Sequence, residues 1–349
     1  MKKRHPIVCF ILGIMMSQSA LSQSISAVPF LLISPGARAA GMGEAFVAIA
    51  DDATATYWNP AGLAFQSQKQ VSLMHANWLQ TLAPDLFYDY ASYVQPLEGL
   101  GTLGIAVTYL NLGEQLITGE DSPDILGQFN SNEFSVAASF GGQLSTNSAI
   151  GISLKFIKSN LANFGTAAEQ GDGRASAFAF DLGYMHHNLF FNNLSLGMNL
   201  SNMGPKVTYI DAAQADPLPT NLRLGLAYKL INEEFSKLRV AVEFNKMLVK
   251  RNNDTSTDVW YKALFSSWTD EDLNQELKQI HSNIGIEYWY GDLVGLRAGY
   301  HYDEIGQVKY PTFGAGIKYA VYQFDFGYVA AEDGHPLDGT TRFSLLIGF

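Results

Sequence analysis

Cysteine is nearly absent. The single thiol, Cys9, lies in an apolar run near the amino terminus. The chain beyond it can hold no disulfide and no cysteine-based metal site. Charge is scarce too. Asp, Glu, Lys and Arg make up 16% of the residues, against roughly 25% in a soluble domain. Positive charge is the scarcer sign, with 22 Lys and Arg against 33 Asp and Glu, or −11. No basic stripe could neutralise phosphates, which excludes a nucleic-acid partner. Past the first two dozen residues there is no run of about 18 apolar residues, so no spanning helix is expected. Catalytic signatures are missing as well. His75, His186, His187, His281, His301 and His335 form no His-Glu-x-x-His motif, and no serine sits in a Gly-x-Ser-x-Gly elbow. No phosphate loop and no calcium loop is present. No enzyme activity, metal or cofactor is therefore expected.

What is present begins with a leader. Lys2, Lys3 and Arg4 precede an apolar run, Ile7 to Met16, too short to cross a bilayer. Ser17 to Ser24 is small and polar, with Ala20-Leu21-Ser22 as a cleavage site. This is the anatomy of a signal peptide, expected over residues 1–24. No Leu-Ala-Gly run precedes Cys9, so no lipid anchor is expected. Without Lys2, Lys3 and Arg4 the count is 19 basic against 33 acidic residues, or −14. An exported chain with little charge, 13% aromatics and 32 glycines fits a transmembrane β-barrel.

Periodicity points the same way. Phe178, Phe180, Leu182 and Tyr184 alternate with Ala179, Asp181 and Gly183. Tyr322, Phe324, Phe326 and Tyr328 alternate with Gln323, Asp325 and Gly327. Segments 222–228 and 284–290 repeat the pattern. Side chains of a strand point to two faces in turn. Here one face is apolar and ends in Tyr, as an interfacial aromatic girdle requires. The other is small, polar or charged. Fourteen such strands can be counted between 70–77 and 339–349. The connections after even strands are short: 95–100, 145–147, 291–292 and 319. Most of those after odd strands are long: 112–132, 159–174, 203–218, 248–280 and 330–338. The fold class expected is all-β, a 14-stranded antiparallel transmembrane barrel over residues 70–349. Short turns belong to the periplasmic side of such barrels. Both termini are expected there, with the long loops outside. The last strand, "TRFSLLIGF", places Phe343, Leu345, Ile347 and Phe349 on one face. It looks like the carboxyl-terminal signal by which bacterial barrels are recognised for insertion.

Residues 34–64, "SPGARAAGMGEAFVAIADDATATYWNPAGLA", fit neither a strand nor a surface helix. Gly36 to Ala50 reads as a short helix of small residues, with Met42, Phe46 and Ile49 on one face. Asp51 and Asp52 are expected to end it or cap the next turn. Asn59-Pro60 is a turn pair in which Asn bonds its own downstream backbone. Phe46, Tyr57, Trp58, Leu63 and Phe65 would be in water in a free tail. Residues 25–69 are therefore expected to form a short helical hatch inside the barrel, since larger barrels enclose a cavity or channel. The hatch motif comprises Gly36, Arg38, Gly41, Gly43, Asp51, Asp52, Asn59, Pro60 and Gly62.

The stretch "GARAAGMGEAFVAIADDATATYWNPAGLA" resembles the amino-terminal region of the PorV/PorQ family of Bacteroidetes-type outer-membrane proteins. That family is related to FadL-type fatty-acid channels, whose hatch carries an element similar to Asn59-Pro60-Ala61. The resemblance is dense over residues 28–65 and only architectural elsewhere. It implies a FadL-like barrel in the bacterial outer membrane. It also implies a place in the type IX secretion system. There a non-enzymatic barrel binds cargo signal domains and the large translocon barrel, and hands cargo to the surface attachment machinery. The alternative it implies is a conduit for hydrophobic small molecules, with a lipid-like or detergent ligand beside the hatch. The family has many paralogues.

The residues offer further expectations. In the long connection 248–280, "TDEDLNQELKQI" reads as a helix capped by Thr269, with Leu273, Leu277 and Ile280 on one face. Trp260, Tyr261, Leu264, Phe265 and Trp268 precede it. Aromatics on a surface loop suit an interface anchor, or they pack over the barrel mouth; the residues leave both open. The candidate partner-binding set is Trp260, Tyr261, Phe265 and Trp268. The loops 112–132 and 203–218 read as solvated. Inward charges such as Lys155, Asp181, Arg223, Arg239, Glu243, Glu287, Arg297, Lys318, Asp325 and Arg342 are expected mostly to pair and hold the hatch, because unpaired charges in a crowded lumen are costly.

Overall fold

The computed structural model describes residues 26–349 apart from 82, 119–124, 163–172, 210–213, 253 and 255. The leader lies outside the described residues. The strands are β1 (Gln70–Asn77), β2 (Phe87–Leu97), β3 (Gly101–Thr118), β4 (Ile125–Gln143), β5 (Ser148–Asn160), β6 (Arg174–His187) and β7 (Leu194–Met203). They continue with β8 (Asn221–Asn232), β9 (Ser236–Met247), β10 (His281–Tyr290), β11 (Val294–Asp303), β12 (Val308–Tyr319), β13 (Tyr322–Val329) and β14 (Thr341–Gly348). Each pairs antiparallel with its sequence neighbours, and β1 pairs with β14 to close the barrel. Closure pairs the first strand with the last, so neither is left as an open edge, which lipid would not tolerate.

Alternation along each strand builds the two surfaces. Phe178 on β6 is 68% exposed on the outer wall, and Asp181 three residues on is 0% exposed in the bore. Leu154, Ile152 and Ile150 continue the outer face on β5, while Ser153 and Lys155 point inward and are buried. Phe343 of β14 lies opposite Phe326 of β13, ring centroids 5.4 Å apart on the outer face.

The connection 112–132 departs from the reading as a solvated loop. β3 and β4 run on as a hairpin through Thr118 and from Ile125, with register shifts after Asn111 and Ile117. The extra residues are accommodated at Gly113, whose φ of 73° suits a bulge.

Residues 26–69 run through the bore rather than starting at the short-turn end. The Ala27 amide donates to the Pro217 carbonyl, and the Ser26 hydroxyl reaches Met247 Sδ. Both partners lie at the end that carries the long connections. At the other end Gln70 opens β1 beside Gly348. Ser26 and Phe349 thus lie at opposite ends, where the sequence pattern had placed both termini on one side. The physical reason is plain: a segment that fills the bore and then enters β1 at the short-turn end must come from the far end.

The expected helix over 36–50 is reduced to one turn, α1 (Ala37–Ala40), followed by turns. Gly43 and Glu44 adopt φ of 62° and 67°, which no right-handed helix accommodates. A second helical turn, α2 (Ala55–Trp58), and two 3-10 turns, Pro29–Leu32 and Pro60–Phe65, complete the segment.

Candidate functional site

The hatch is held first by space. The inward face of the wall carries glycines where the hatch passes. Register places Gly285 opposite Gly299, Gly151 opposite Gly183, and Gly197 opposite Gly225. A Cβ at Gly299 would overlap the backbone of Met42 and Gly43, and one at Gly183 would overlap Asn59 and Pro60. Gly41 packs against Gly314 of β12 and Gly62 against Ala50 in the same way. The small residues of the hatch and the bare backbone of the wall are therefore two halves of one fit. Gly36, with φ of 95°, also supplies a bend open to few other residues.

Hydrogen bonds fix the seat. Asn59 uses its whole amide. Its Oδ1 accepts from the Ala61 amide at 3.1 Å, and its Nδ2 donates to the carbonyls of Val47 and Tyr184, each at 3.0 Å. Pro60, one residue on, starts the 3-10 turn. Glu243 of β9 accepts from the Phe46 and Val47 amides at 2.9 and 2.8 Å. Asn199 of β7 donates to the carbonyls of Tyr57 and Trp58. The Trp58 indole is 0% exposed and donates to the Pro35 carbonyl at 3.1 Å.

Charge completes the lock. Arg38 grips Glu287 of β10 through two nitrogens, at 2.7 and 2.8 Å, and turns its third to Asp51 at 2.6 Å and Asp52 at 3.1 Å. Two-point pairing is the stronger guanidinium–carboxylate geometry. Glu287 also accepts from Arg297 of β11 at 2.9 Å, and Arg297 reaches Asp325 of β13 at 2.8 Å. Asp51 takes a second cation, Arg239 of β9, at 2.9 Å. Higher in the bore, Arg342 meets Glu44 at 3.2 Å, Arg223 meets Glu243 at 3.7 Å, and Lys155 meets Asp181 at 2.7 Å. The inward charges pair as expected, except Lys318, which has no ion-pair partner among the described residues.

The carboxyls of the hatch respond to these neighbours. Burial alone would raise the Asp51 carboxyl, but Arg38 and Arg239 together hold it well below the usual range. Glu44 is likewise pushed up by burial and brought below its ordinary value by Arg342, His301 and the Ser34 hydroxyl. Asp52 goes the other way: burial, and the neighbouring Asp51, outweigh Arg38 and raise it. Asp52 does not cap a helix by its own turn. It accepts from the Thr54 amide and hydroxyl at 2.9 and 2.5 Å and so shapes the bend before α2.

Two of the spaces that border the hatch bear on its role. One, lined by Phe30, Leu31, Tyr57, Tyr90 and Ala106 among others, has about 10 Å³, enough for about one water. The other, about 400 Å³, lies between Arg38, Asp51 and Asp52 and the short-turn end of the wall.

The loop 248–280 holds the second group of candidate residues. It contains α3 (Trp260–Ser266) and α4 (Leu273–Lys278). Asp258 accepts from Lys262 at 2.8 Å, Ser266 at 2.7 Å and Asn252 at 3.2 Å, which brings its carboxyl down to about 2. The N-cap of α4 is Asp272, whose side chain accepts from the Gln275 amide at 2.9 Å, not Thr269. The helix starts three residues later than expected because the Thr269 hydroxyl donates back to the Ser266 carbonyl, and Glu276 within the helix is buried and ion-paired with Lys246 of β9. Trp260 stands edge-on to Phe180 of the outer wall at 5.3 Å, and Trp268 lies over Lys246 Nζ at 4.7 Å. Tyr261 stands edge-on to Trp260 at 5.6 Å yet is 61% exposed, Phe265 is 78% exposed, and Leu273 and Leu277 of α4 are also exposed. The aromatics thus divide: Trp260 packs on the barrel, while Tyr261 and Phe265 face outward.

Sequence reasoning missed Asn199 and the wall glycines as hatch contacts. Their inward parity was readable; their depth in the bore was not.

No curated protein matches the chain. Solved structures with a similar fold include the toluene transporter TodX of Pseudomonas putida, at a TM-score of 0.54 and 14% identity over 90% of this chain and 99% of TodX. They also include the toluene transporter TbuX of Ralstonia pickettii, at 0.52 and 12% over 91% and 98% of the two chains. The monoaromatic hydrocarbon channel CymD matches at 0.54 and 14%, over 91% and 98%. At such identities the likeness is one of fold. The family model described as type IX secretion system protein PorV matches residues 17–254. Matched over more than half its length, this FadL-like fourteen-stranded barrel belongs to the PorV family.

Proposed function

We propose that the chain is a non-enzymatic outer-membrane component of the type IX secretion machinery. It binds secreted cargo and the large translocon barrel through its outer loops and passes cargo to the surface attachment machinery. The family match carries this reading. A bore occupied by an ion-paired hatch agrees with it, since a filled barrel suits docking better than diffusion. The short turns lie toward the periplasm and the long connections outside. On that orientation Tyr261 and Phe265 face outward where a partner would meet them, and the hatch, residues 25–69, closes the bore as a separate unit.

Deletion of the gene is expected to strand cargo in the periplasm, and the tagged chain is expected to bring down a much larger barrel from mild detergent. Normal cargo at the surface of the deletion strain would sink the proposal. Removal of residues 255–268 is expected to weaken docking while the barrel still assembles.

A second reading is a conduit for hydrophobic small molecules. The fold likeness to the toluene transporter TodX favours it. The space of about 10 Å³ beside Phe30 and Tyr57 weighs against it. Lipid extraction of the purified barrel followed by mass spectrometry separates the two: a stoichiometric apolar ligand supports the conduit.

A further inference from the structure

The cavity of about 400 Å³ beneath the hatch carries a charge unlike the rest of the chain. The protein is −11 overall. Yet five cations, Arg38, Lys229, Lys237, Arg239 and Lys318, line this space against four acids. Every one of those acids is taken. Asp51 pairs with Arg38 and Arg239, Asp52 and Glu287 with Arg38, and Asp292 with Lys237. Lys229 and Lys318 have no ion-pair partner among the described residues. Lys229 stands directly opposite Arg239 in the β8–β9 register. Like charges so placed destabilise a sheet. Arg239 is answered by Asp51, and the Lys229 ammonium is left facing the cavity.

The remaining lining narrows the ligand. Gln68, Gln70 and Asn232 offer side-chain amides, each able to donate and accept toward a peptide backbone. Val321 and Leu346 add apolar surface. The volume falls in the range of ligand pockets, roughly 300–1,000 Å³, and exceeds what an inorganic anion fills. The strand residues that carry its charges, Lys229, Lys237, Arg239, Glu287 and Lys318, are on the inward parity of their strands. A lipid head group held in the surrounding bilayer lies on the other side of the wall.

We propose that this cavity receives an acidic peptide segment presented at the short-turn end, with Lys229 and Lys318 taking its carboxylates. The amides bind its backbone, and the hatch forms the floor. The cavity is therefore a receptor rather than a passage. This inference is independent of the outer-loop reading, which concerns the opposite end of the barrel.

The test uses the purified full chain in detergent and a fluorescein-labelled hexaglutamate peptide, read by fluorescence anisotropy. Binding is expected to be saturable, and to weaken as salt rises. The double variant K229Q/K318Q is expected to bind roughly tenfold more weakly, whereas K229R/K318R keeps most of the affinity. Heat-modifiable gel mobility reports whether each variant is a folded barrel. If K229Q/K318Q does not fold, the wild-type comparison of hexaglutamate with hexaglutamine decides. Equal binding by K229Q/K318Q and wild type, or equal binding of hexaglutamine, overturns the proposal. Displacement of hexaglutamate by inorganic phosphate at matching concentrations also overturns it, because a simple anion site would remain.

Discussion

Two segments lie off the strands and are rich in aromatics, the hatch before β1 and the loop between β9 and β10. They end in opposite environments. The hatch buries Trp58, Phe46 and Tyr57 among alanines and against glycines of the wall. The loop turns Tyr261 and Phe265 outward. The hatch interleaves its rings with residues small enough to let two backbones touch. The loop interleaves its rings with Lys, Asp and Glu, which stay in water. Aromatic content alone therefore does not say whether a segment is core or surface; the size and charge of its neighbours do.

That contrast can be broken at the hatch with the largest effect. Arg38→Ala leaves Asp52 buried without its cation and Glu287 with Arg297 alone. Loss of one partner of a buried pair costs about 3–5 kcal/mol. The expected result is an earlier urea midpoint, followed by Trp fluorescence, together with increased single-channel conductance as the hatch loosens. An unchanged midpoint would mean that the guanidinium is not what holds the segment.

Gly299→Val tests the fit rather than the charge. The new side chain meets the backbone of Met42 and Gly43. Overpacking of this kind costs about 1–3 kcal/mol, and the expected readout is faster proteolysis within residues 36–52 while the barrel stays heat-modifiable. An outward glycine with open surroundings, Gly99, serves as the control; its φ of 72° favours glycine, so Asn is the substitution to use there.

Acid provides a smaller, graded effect. Asp51 and Glu44 have folded-state values below their ordinary ones. A depressed carboxyl contributes stability that is present above the unfolded value, about 4, and is lost as pH falls through the folded value. Asp52 is raised and works in the opposite sense. The hatch is expected to stay seated from neutral pH down to about 4 and to loosen below it. Asp51→Asn should flatten that acid limb in a conductance titration.

The smallest effect on stability belongs to the loop. Phe265→Ser, at an exposed site, should change stability in urea by no more than about 0.5 kcal/mol, yet reduce recovery of the large barrel in pull-downs. Equal recovery would assign the exposed rings to some other contact.

The wall was legible in the sequence because a strand declares its two faces every second residue. Phe178 and Asp181 could be assigned to lipid and bore from parity alone. The turns were legible for the same reason, since alternation stops there. The hatch was legible only as a compact, buried segment. Its helix over 36–50 was not, because Gly41 and Gly43 are positioned by the wall strands they touch, and helical spacing carries no trace of that contact. The direction of travel through the bore was hidden too. Parity fixes which face a residue is on and says nothing of its depth. In the loop, Thr269 reads as a cap by its local sequence, but its hydroxyl donates back to Ser266 and Asp272 caps α4 instead.

The course of residues 26–69 constrains how such a molecule can be assembled. They run from one mouth of the bore to the other, and the strand that follows them forms the seam with the last strand of the chain. A wall sealed beforehand would have to swallow the segment end-first, past Tyr88, Met185 and Arg342, which already crowd the interior. Wrapping avoids this. The sheet curls around a compact core already in place, and the first and last strands meet only when that core is enclosed. The seam is then a clasp, and the order in which it fastens follows from connectivity alone.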